Sequence, residues 1–181
     1  MGITTTPVAA KRTRNKPAEP EQDVLGGRVC TNTALRIAAR RLGQLYDEAL
    51  APLDLKATQL GLMAEIHKLT GPDQQGPTLL DLASRLAIQL SALTHALRPL
   101  VRDGMVELRL DAKDRRTKHG VLTPRGKAKL SKAVAHWAAT NDRVEAVLGP
   151  DSAAKLRALA DQVSSDAFLA AYREEASTCT D

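Results

Sequence analysis

The chain has 181 residues, 43% of them hydrophobic and 26% charged, and 26 Lys and Arg stand against 21 Asp and Glu for a formal net charge of +5. That length supplies one core-bearing domain with an elongated appendage and excludes two domains of ordinary size, and one Phe, one Trp and two Tyr leave the core to Leu, Ala, Val and Ile, which favours helices. No run approaches the roughly 18 apolar residues of a membrane span, the opening residues lack the apolar stretch of a secretion signal, and two distant cysteines, Cys30 and Cys179, exclude a disulfide framework and make a reducing cytoplasm the simplest compartment.

Residues 1 to 28 mix Thr, Pro, Lys and Arg with few large apolar side chains. Such a composition cannot repay the entropy of ordering, so a flexible basic arm is expected. Its Lys11, Arg12, Arg14 and Lys16 suit phosphate contacts or simple solubility. From Thr31 the pattern turns helical, with Leu35, Ala38, Leu42, Leu45 and Ala49 three and four residues apart and Arg36, Arg40, Asp47 and Glu48 elsewhere on the wheel. Pro52 ends that helix. A second is expected from about Lys56 to Leu69, burying Leu60, Met63 and Ile66, and TGPDQQGP then reads as a loop.

Thr78 and Asp81 stand at capping-box spacing, the hydroxyl toward the third helical amide and the carboxylate reaching back, and open a short helix, LLDLASRLAI. Ser91 caps or begins the next, which runs to about Asp103 and stops at Gly104. Two short helices with a tight connection suggest helix-turn-helix. Pro99, inside the second, removes a backbone donor and predicts a kink. Val106, Leu108 and Leu110 then alternate with Glu107 and Arg109 as in a half-buried strand, and Val121 and Leu122 mark a return strand. Between them a hairpin tip crowds Lys113, Arg115, Arg116 and Lys118 together. Thr123 and Pro124 suit the N-cap and first position of a long helix to about Leu148. Gly149, Pro150 and Asp151 separate it from a last helix carrying Leu156, Leu159, Val163 and Ala167.

The charge is unevenly spread. Residues 78 to 129 hold eleven basic against five acidic side chains, net +6, whereas 130 to 181 hold five against eight, net −3. A local excess of that kind is the footprint of a nucleic-acid surface. A helix-turn-helix followed by a two-stranded hairpin is a winged helix, whose second helix can enter the major groove and meet base edges. A basic tip beside it reaches the neighbouring minor groove, where narrow A·T tracts concentrate negative potential and attract Arg.

DAKDRRTKHGVLTPRG together with LRPLVRDGMVELRL resembles the wing and recognition region of the MarR family of bacterial transcription regulators, whose wing reads D-x-R-D-x-R and then L-T-x-x-G. Asp111, Asp114 and Arg116 stand at the two Asp and final Arg positions, and Leu122, Thr123 and Gly126 fit the rest. The resemblance runs from about Cys30 to Leu148 and takes in ALRIAARRLGQLYDEALAPLDLKATQLGLM as the first two helices. It implies that Arg116 enters the minor groove and that Asp114 holds its guanidinium. Lys113 departs from the pattern by replacing the first Arg, which keeps the charge and loses the bidentate geometry. Arg115 stands where a smaller residue is usual, and Gly120 replaces an apolar strand residue, which predicts a short or mobile return strand.

The fold class is therefore expected to be mainly α with a small β-wing: a flexible arm over 1–28, a helical dimerisation region over 29–55 and 124–181, and a winged helix-turn-helix over 56–123. The DNA-binding residues of that reading are Gln89, Ser91, Thr94, His95 and Arg98 on the helix and Lys113, Asp114, Arg115, Arg116 and Lys118 on the wing. Apolar stripes on the first and C-terminal helices exceed what the winged domain can cover. A homodimeric repressor on an inverted-repeat operator in double-stranded DNA is expected.

By resemblance, a small anionic or aromatic effector, or a larger thioester, binds between the dimerisation helices and the winged domain, with Arg36, Arg40 and His67 as anion contacts. Cys30 stands near the place where the family's organic hydroperoxide sensors carry their reactive cysteine, and a thiol at a helix N-terminus is activated. Tyr46 lies roughly 24 Å further along the same helix, so its contact would come from a second subunit. His67, His95, His119 and His136 offer no pair at i, i+4, and neither a metal nor a cofactor is expected. No nucleophile elbow, phosphate loop or close carboxylate pair points to an enzyme. The rival reading keeps the charge without the specificity: a nucleoid-associated or RNA-binding protein whose binding depends steeply on salt and hardly on sequence.

Overall fold

The structure, a computed structural model, describes residues 30–72 and 74–178; the expected basic arm over 1–28 and Cys179 lie outside the described residues. The chain divides into two units, Met1–Ile37 and Ala38–Asp181, and the described part of the first is the opening of a helix. In chain order the elements are α1 (Thr31–Leu50), a 3-10 turn (Ala51–Leu53), α2 (Ala57–Leu69), α3 (Leu79–Arg85), α4 (Leu90–Arg102), β1 (Val106–Leu110), β2 (Lys118–Leu122), α5 (Pro124–Leu148), α6 (Pro150–Val163) and α7 (Asp166–Thr178). This is the mainly helical architecture with a two-stranded wing that the periodicity indicates.

The core lies under the wing. Leu60, Met63 and Ile66 of α2 are buried as their spacing requires, and they pack in one cluster with Leu82 of α3, Leu93, Leu97 and Leu100 of α4, and Val106 and Leu122 of the strands. A fully buried Leu of this kind contributes about 1.5 to 3 kcal/mol relative to exposure. The start of α2 is fixed from α1, because Asp47 Oδ1 accepts from the Ala57 amide at 2.7 Å and Gln59 Oε1 accepts from the Lys56 amide at 2.9 Å. Leu50, at the end of α1, is the buried residue of that helix.

β1 and β2 pair antiparallel, Val106 opposite Leu122 and Leu108 opposite Gly120. The return strand is neither short nor broken at Gly120: it spans five residues, and Gly120 is buried over Ile66 and Leu79. What compensates for the glycine is a third rung invisible to the alternation pattern. The segment before α3 lies along β2, with the Gly120 amide donating to Pro77 O at 3.0 Å and Thr78 bridging His119.

The caps correct the reading in detail. Thr78 Oγ1 accepts from the Asp81 amide at 3.0 Å as expected, but the Asp81 carboxylate takes the Thr78 hydroxyl proton at 2.7 Å instead of the backbone amide. α4 begins one residue before Ser91, with Gln89 as its N-cap, and continues through Pro99. Thr123 Oγ1 caps α5 by accepting from the Gly126 amide at 3.0 Å while donating to Gly104 O at 2.7 Å. Glycine is favoured at 126 because a Cβ there would run into the Met105 carbonyl. The last helix is two helices. Ser165 Oγ accepts from the Phe168 amide at 3.2 Å and starts α7, so the apolar period through Leu159 and Val163 crosses a break.

Candidate nucleic-acid interface

α4 is amphipathic by construction. Leu93, Leu97 and Leu100 turn into the core, and Ser91, Thr94, His95 and Arg98 remain on the exposed side, with Gln89 exposed at the cap. Thr94 gives its hydroxyl proton to Leu90 O at 2.8 Å and keeps its lone pairs outward. α4 packs on β1, which puts helix and hairpin in one domain. A shallow cleft of about 490 Å³ joins His95, Arg98 and Arg102 to Lys56 and Gln59 at the start of α2. The last two were not singled out in the sequence, because a lone Lys at a helix start carries no motif. Lys56 is 3.5 Å from Asp47 and Arg102 is 2.8 Å from Asp103, so part of the cleft's charge is already balanced.

The wing tip is built by two carboxylates. Asp111 Oδ1 accepts from the amides of Lys113 and Asp114 at 2.8 and 2.9 Å, and these bonds, followed by one from His119, push its carboxyl down to about 2. Asp114 accepts from the Arg116 amide and from the Thr117 hydroxyl, both at 2.9 Å. The carboxylate thus shapes the turn through one backbone and one hydroxyl donor. The Asp114–Arg116 ion pair that the resemblance implies is not formed here, and the exposed guanidinium has no ion pair among the described residues. Lys113, Arg115 and Lys118 are exposed as well. Their charge has no counterion in the hairpin, in contrast to Arg109, which sits 2.9 Å from Glu107.

The base of the wing holds the residue that sequence reasoning missed. His119, counted there only as an unpaired histidine, is buried at 7% exposure. Its Nδ1 is 3.0 Å from Gly76 O and its Nε2 is 3.0 Å from Asp111 Oδ2. The signal was a polar residue at a strand position flanked by glycine, where burial is decided by the Gly76–Thr78 segment and not by the hairpin.

Arg36 and Arg40 are exposed on α1, and His67 borders a small cleft with Thr70, Gln74 and Lys127. The cavity framed by α1, α2 and α5, about 370 Å³, is lined instead by Tyr46, Leu60, Gly61, Ala64, Val134 and Trp137, with no charged side chain. Tyr46 donates to Asn141 Oδ1 at 3.1 Å, and burial, then Glu145, raises its phenol above the ordinary value. Asn141 and Arg157 both donate to Glu145 Oε1, at 3.0 and 2.7 Å. Cys30 is exposed ahead of α1, its thiol drawn below the ordinary value by hydrogen bonding to Thr33. Among the described residues no cluster of His, Cys, Asp or Glu could hold a metal ion, and no helix is long and apolar enough to cross a membrane.

No family model matches the chain, and no curated protein does. Solved structures do. The M. tuberculosis transcriptional regulator MosR, in complex with DNA, superposes with a TM-score of 0.64 at 34% identity, over 75% of this chain and 96% of that one. A mutant MarR from E. coli complexed with operator DNA gives a TM-score of 0.67 at 25% identity, over 78% and 98% of the two chains. CouR from Rhodococcus jostii RHA1, bound to p-coumaroyl-CoA, shares the fold at 18% identity and a TM-score of 0.63, over 75% and 92%.

Proposed function

The chain belongs to the MarR family of winged-helix transcription regulators, and from that premise we propose that it represses transcription in the cytoplasm as a homodimer on an inverted-repeat operator. One observation carries the reading: the exposed polar face of α4 shares a domain with a wing tip whose Arg115 and Arg116 are exposed and make no ion pair among the described residues. α4 enters the major groove, where Arg98 can engage guanine bidentately and Gln89, Ser91, Thr94 and His95 meet neighbouring edges or phosphates. Arg116 and Arg115 reach the minor groove beside it, and Lys113 and Lys118 meet phosphates. The Lys56 cleft extends the same surface to the backbone. The regulator acts by binding, and no residue is assigned a catalytic step.

The dimer is supported by a largely apolar groove of about 520 Å³ between α1 and α5, walled by Leu42, Leu45, Ala49, Val144, Val147 and Leu148, with Glu48, Thr140 and Arg143 also lining it. Val147 is 88% exposed in the single chain. A ligand that fills the 370 Å³ cavity would press α1 and α5 away from α2 and change the distance between the two α4 helices. The lining selects an apolar or aromatic body, and any anionic end must lie outside it. Trp137, the sole Trp, reports such binding directly: its fluorescence should change on titration with an aromatic ligand, and Ala64→Leu, which fills the cavity without adding a second indole, should abolish the change.

The deciding experiment is selection of fragmented genomic DNA by the purified protein at near-physiological salt. Enrichment of an inverted repeat with half-sites about 10 to 10.5 base pairs apart supports the reading. A flat, sequence-independent distribution favours the nucleoid or RNA-binding alternative, whose affinity rests on phosphate charge alone.

A further inference from the structure

The geometry points to His119 as the positioning residue of the wing: as an imidazolium it ties the tip bearing Arg115 and Arg116 to the body of the domain, so that operator binding and proton binding are linked. The inference rests on the DNA-binding reading above.

His119 is the only buried ionisable side chain among the described residues. Both of its ring nitrogens face oxygens that have no hydrogen to give, Gly76 O at 3.0 Å and Asp111 Oδ2 at 3.0 Å. Both contacts are hydrogen bonds only when both nitrogens are protonated. A neutral ring can keep the bond to Gly76, but its bare Nε2 then faces the carboxylate. Gln75 Nε2, 3.0 Å from Asp111 Oδ2 and 3.3 Å from His119 Nε2, is the donor left to bridge the pair. The site therefore has two bonding patterns, and one proton selects between them.

What the ring joins matters more than its own burial. On one side Gly76, at φ +74, is pressed against β2 so closely that a Cβ would strike the Gly120 carbonyl. On the other side Asp111 orders the amides of Lys113 and Asp114, and Asp114 orders Arg116 and Thr117. A continuous run of hydrogen bonds thus leads from the loop before α3 to the amide of Arg116. The other charged groups around the ring are accounted for. Arg109 stands opposite His119 across the hairpin with its guanidinium on Glu107. His67 of α2 and Lys127 of α5 border Val121 further along β2, and Lys127 donates to Gln74 Oε1 at 3.0 Å. The segment leading into α3 contributes Thr78, which is uncharged. Asp111 is the carboxylate that the ring meets.

Loss of the second ring proton as pH rises removes the direct bond to Asp111, loosens the tip and weakens operator binding. By reciprocity, operator DNA favours the protonated ring. The test uses the duplex that the protein selects, at fixed salt, across roughly pH 5.5 to 8.5, the range in which histidine titrates. His95 is the histidine that α4 itself exposes on the proposed DNA face, so the comparison is made in a His95→Gln background with and without His119→Gln. With His119 present, the dissociation constant should rise about five- to tenfold across the range; with His119→Gln it should sit at the weaker value and stay flat. Parallel profiles overturn the proposal and leave the DNA-binding reading intact, whereas a parent protein that prefers no duplex overturns that reading instead. The wing can be examined without DNA by 15N relaxation of the Lys113, Asp114 and Arg116 amides. They should become mobile with rising pH in the parent and be mobile throughout in His119→Gln. Amides that stay equally ordered in both overturn the proposal. Should His119→Gln fail to fold, Asp111→Asn removes the ring's partner from the more exposed side, and the same flat profile is expected.

Discussion

The wing closes its polar groups locally, with Asp111 and Asp114 accepting four hydrogen bonds from the residues of the tip, and leaves the ends of Lys113, Arg115, Arg116 and Lys118 exposed to solvent. α6 and α7 do the reverse: Ala153 is the buried residue among their described side chains, while Leu159, Val163, Leu169 and Tyr172 lie 41 to 66% exposed. One region is complete within a single chain and waits for a polyanion. The other leaves apolar side chains that the proposed dimer would cover. In that dimer, affinity for a half-site would be a local property of α4 and the wing, and the spacing of half-sites a property of assembly.

The comparison is broken most severely at the helices. Leu45→Glu combined with Val147→Glu places charge in the α1–α5 groove, and sedimentation equilibrium should show a monomer whose operator affinity falls by about a hundredfold or more through lost bivalency. A double variant that remains dimeric would place the seat elsewhere. At the junction of wing and α5, Gly126→Ala forces a methyl against the Met105 carbonyl. It should cost about 1 to 3 kcal/mol of stability, read as a lowered Tm. Arg116→Ala should leave Tm unchanged and weaken operator binding by about 1 to 3 kcal/mol at fixed salt. An unaltered dissociation constant would remove the wing from recognition.

The smallest effect is an acid one. Asp111 has its carboxyl pushed down to about 2 from an ordinary value of 3.8 by the bonds it accepts. Its contribution to the folded tip is fully present above the ordinary value and is lost as pH falls through about 2. Amide exchange at Lys113 and Asp114 should lose protection across that window, and Asp111→Asn should show the same loss at neutral pH.

Much of the DNA-binding face was legible in the residues. Leu60, Met63 and Ile66 marked the buried side of α2, alternation marked β1, the adjacent Val121 and Leu122 marked β2, and Thr123 with Gly126 marked the turn into α5, because each signal is local in sequence and in space. The failures are long-range. His119 is buried by Gly76 and Gln75, more than forty residues away, and no periodicity within the hairpin encodes that. The cavity walled by Tyr46, Val134 and Trp137 was not legible either, because the packing of three helices brings those residues together. The break at Ser165 escaped because an apolar stripe continued across it and outweighed a single capping hydroxyl.

The most direct test of the account is the affinity ratio between the selected duplex and a scrambled duplex of the same length and composition, measured at one near-physiological salt concentration. A sequence-reading α4 and wing predict a preference of at least about a thousandfold. Equal affinities, falling together as salt rises, would mean that the charge of residues 78 to 129 serves phosphate alone and would contradict the regulator reading.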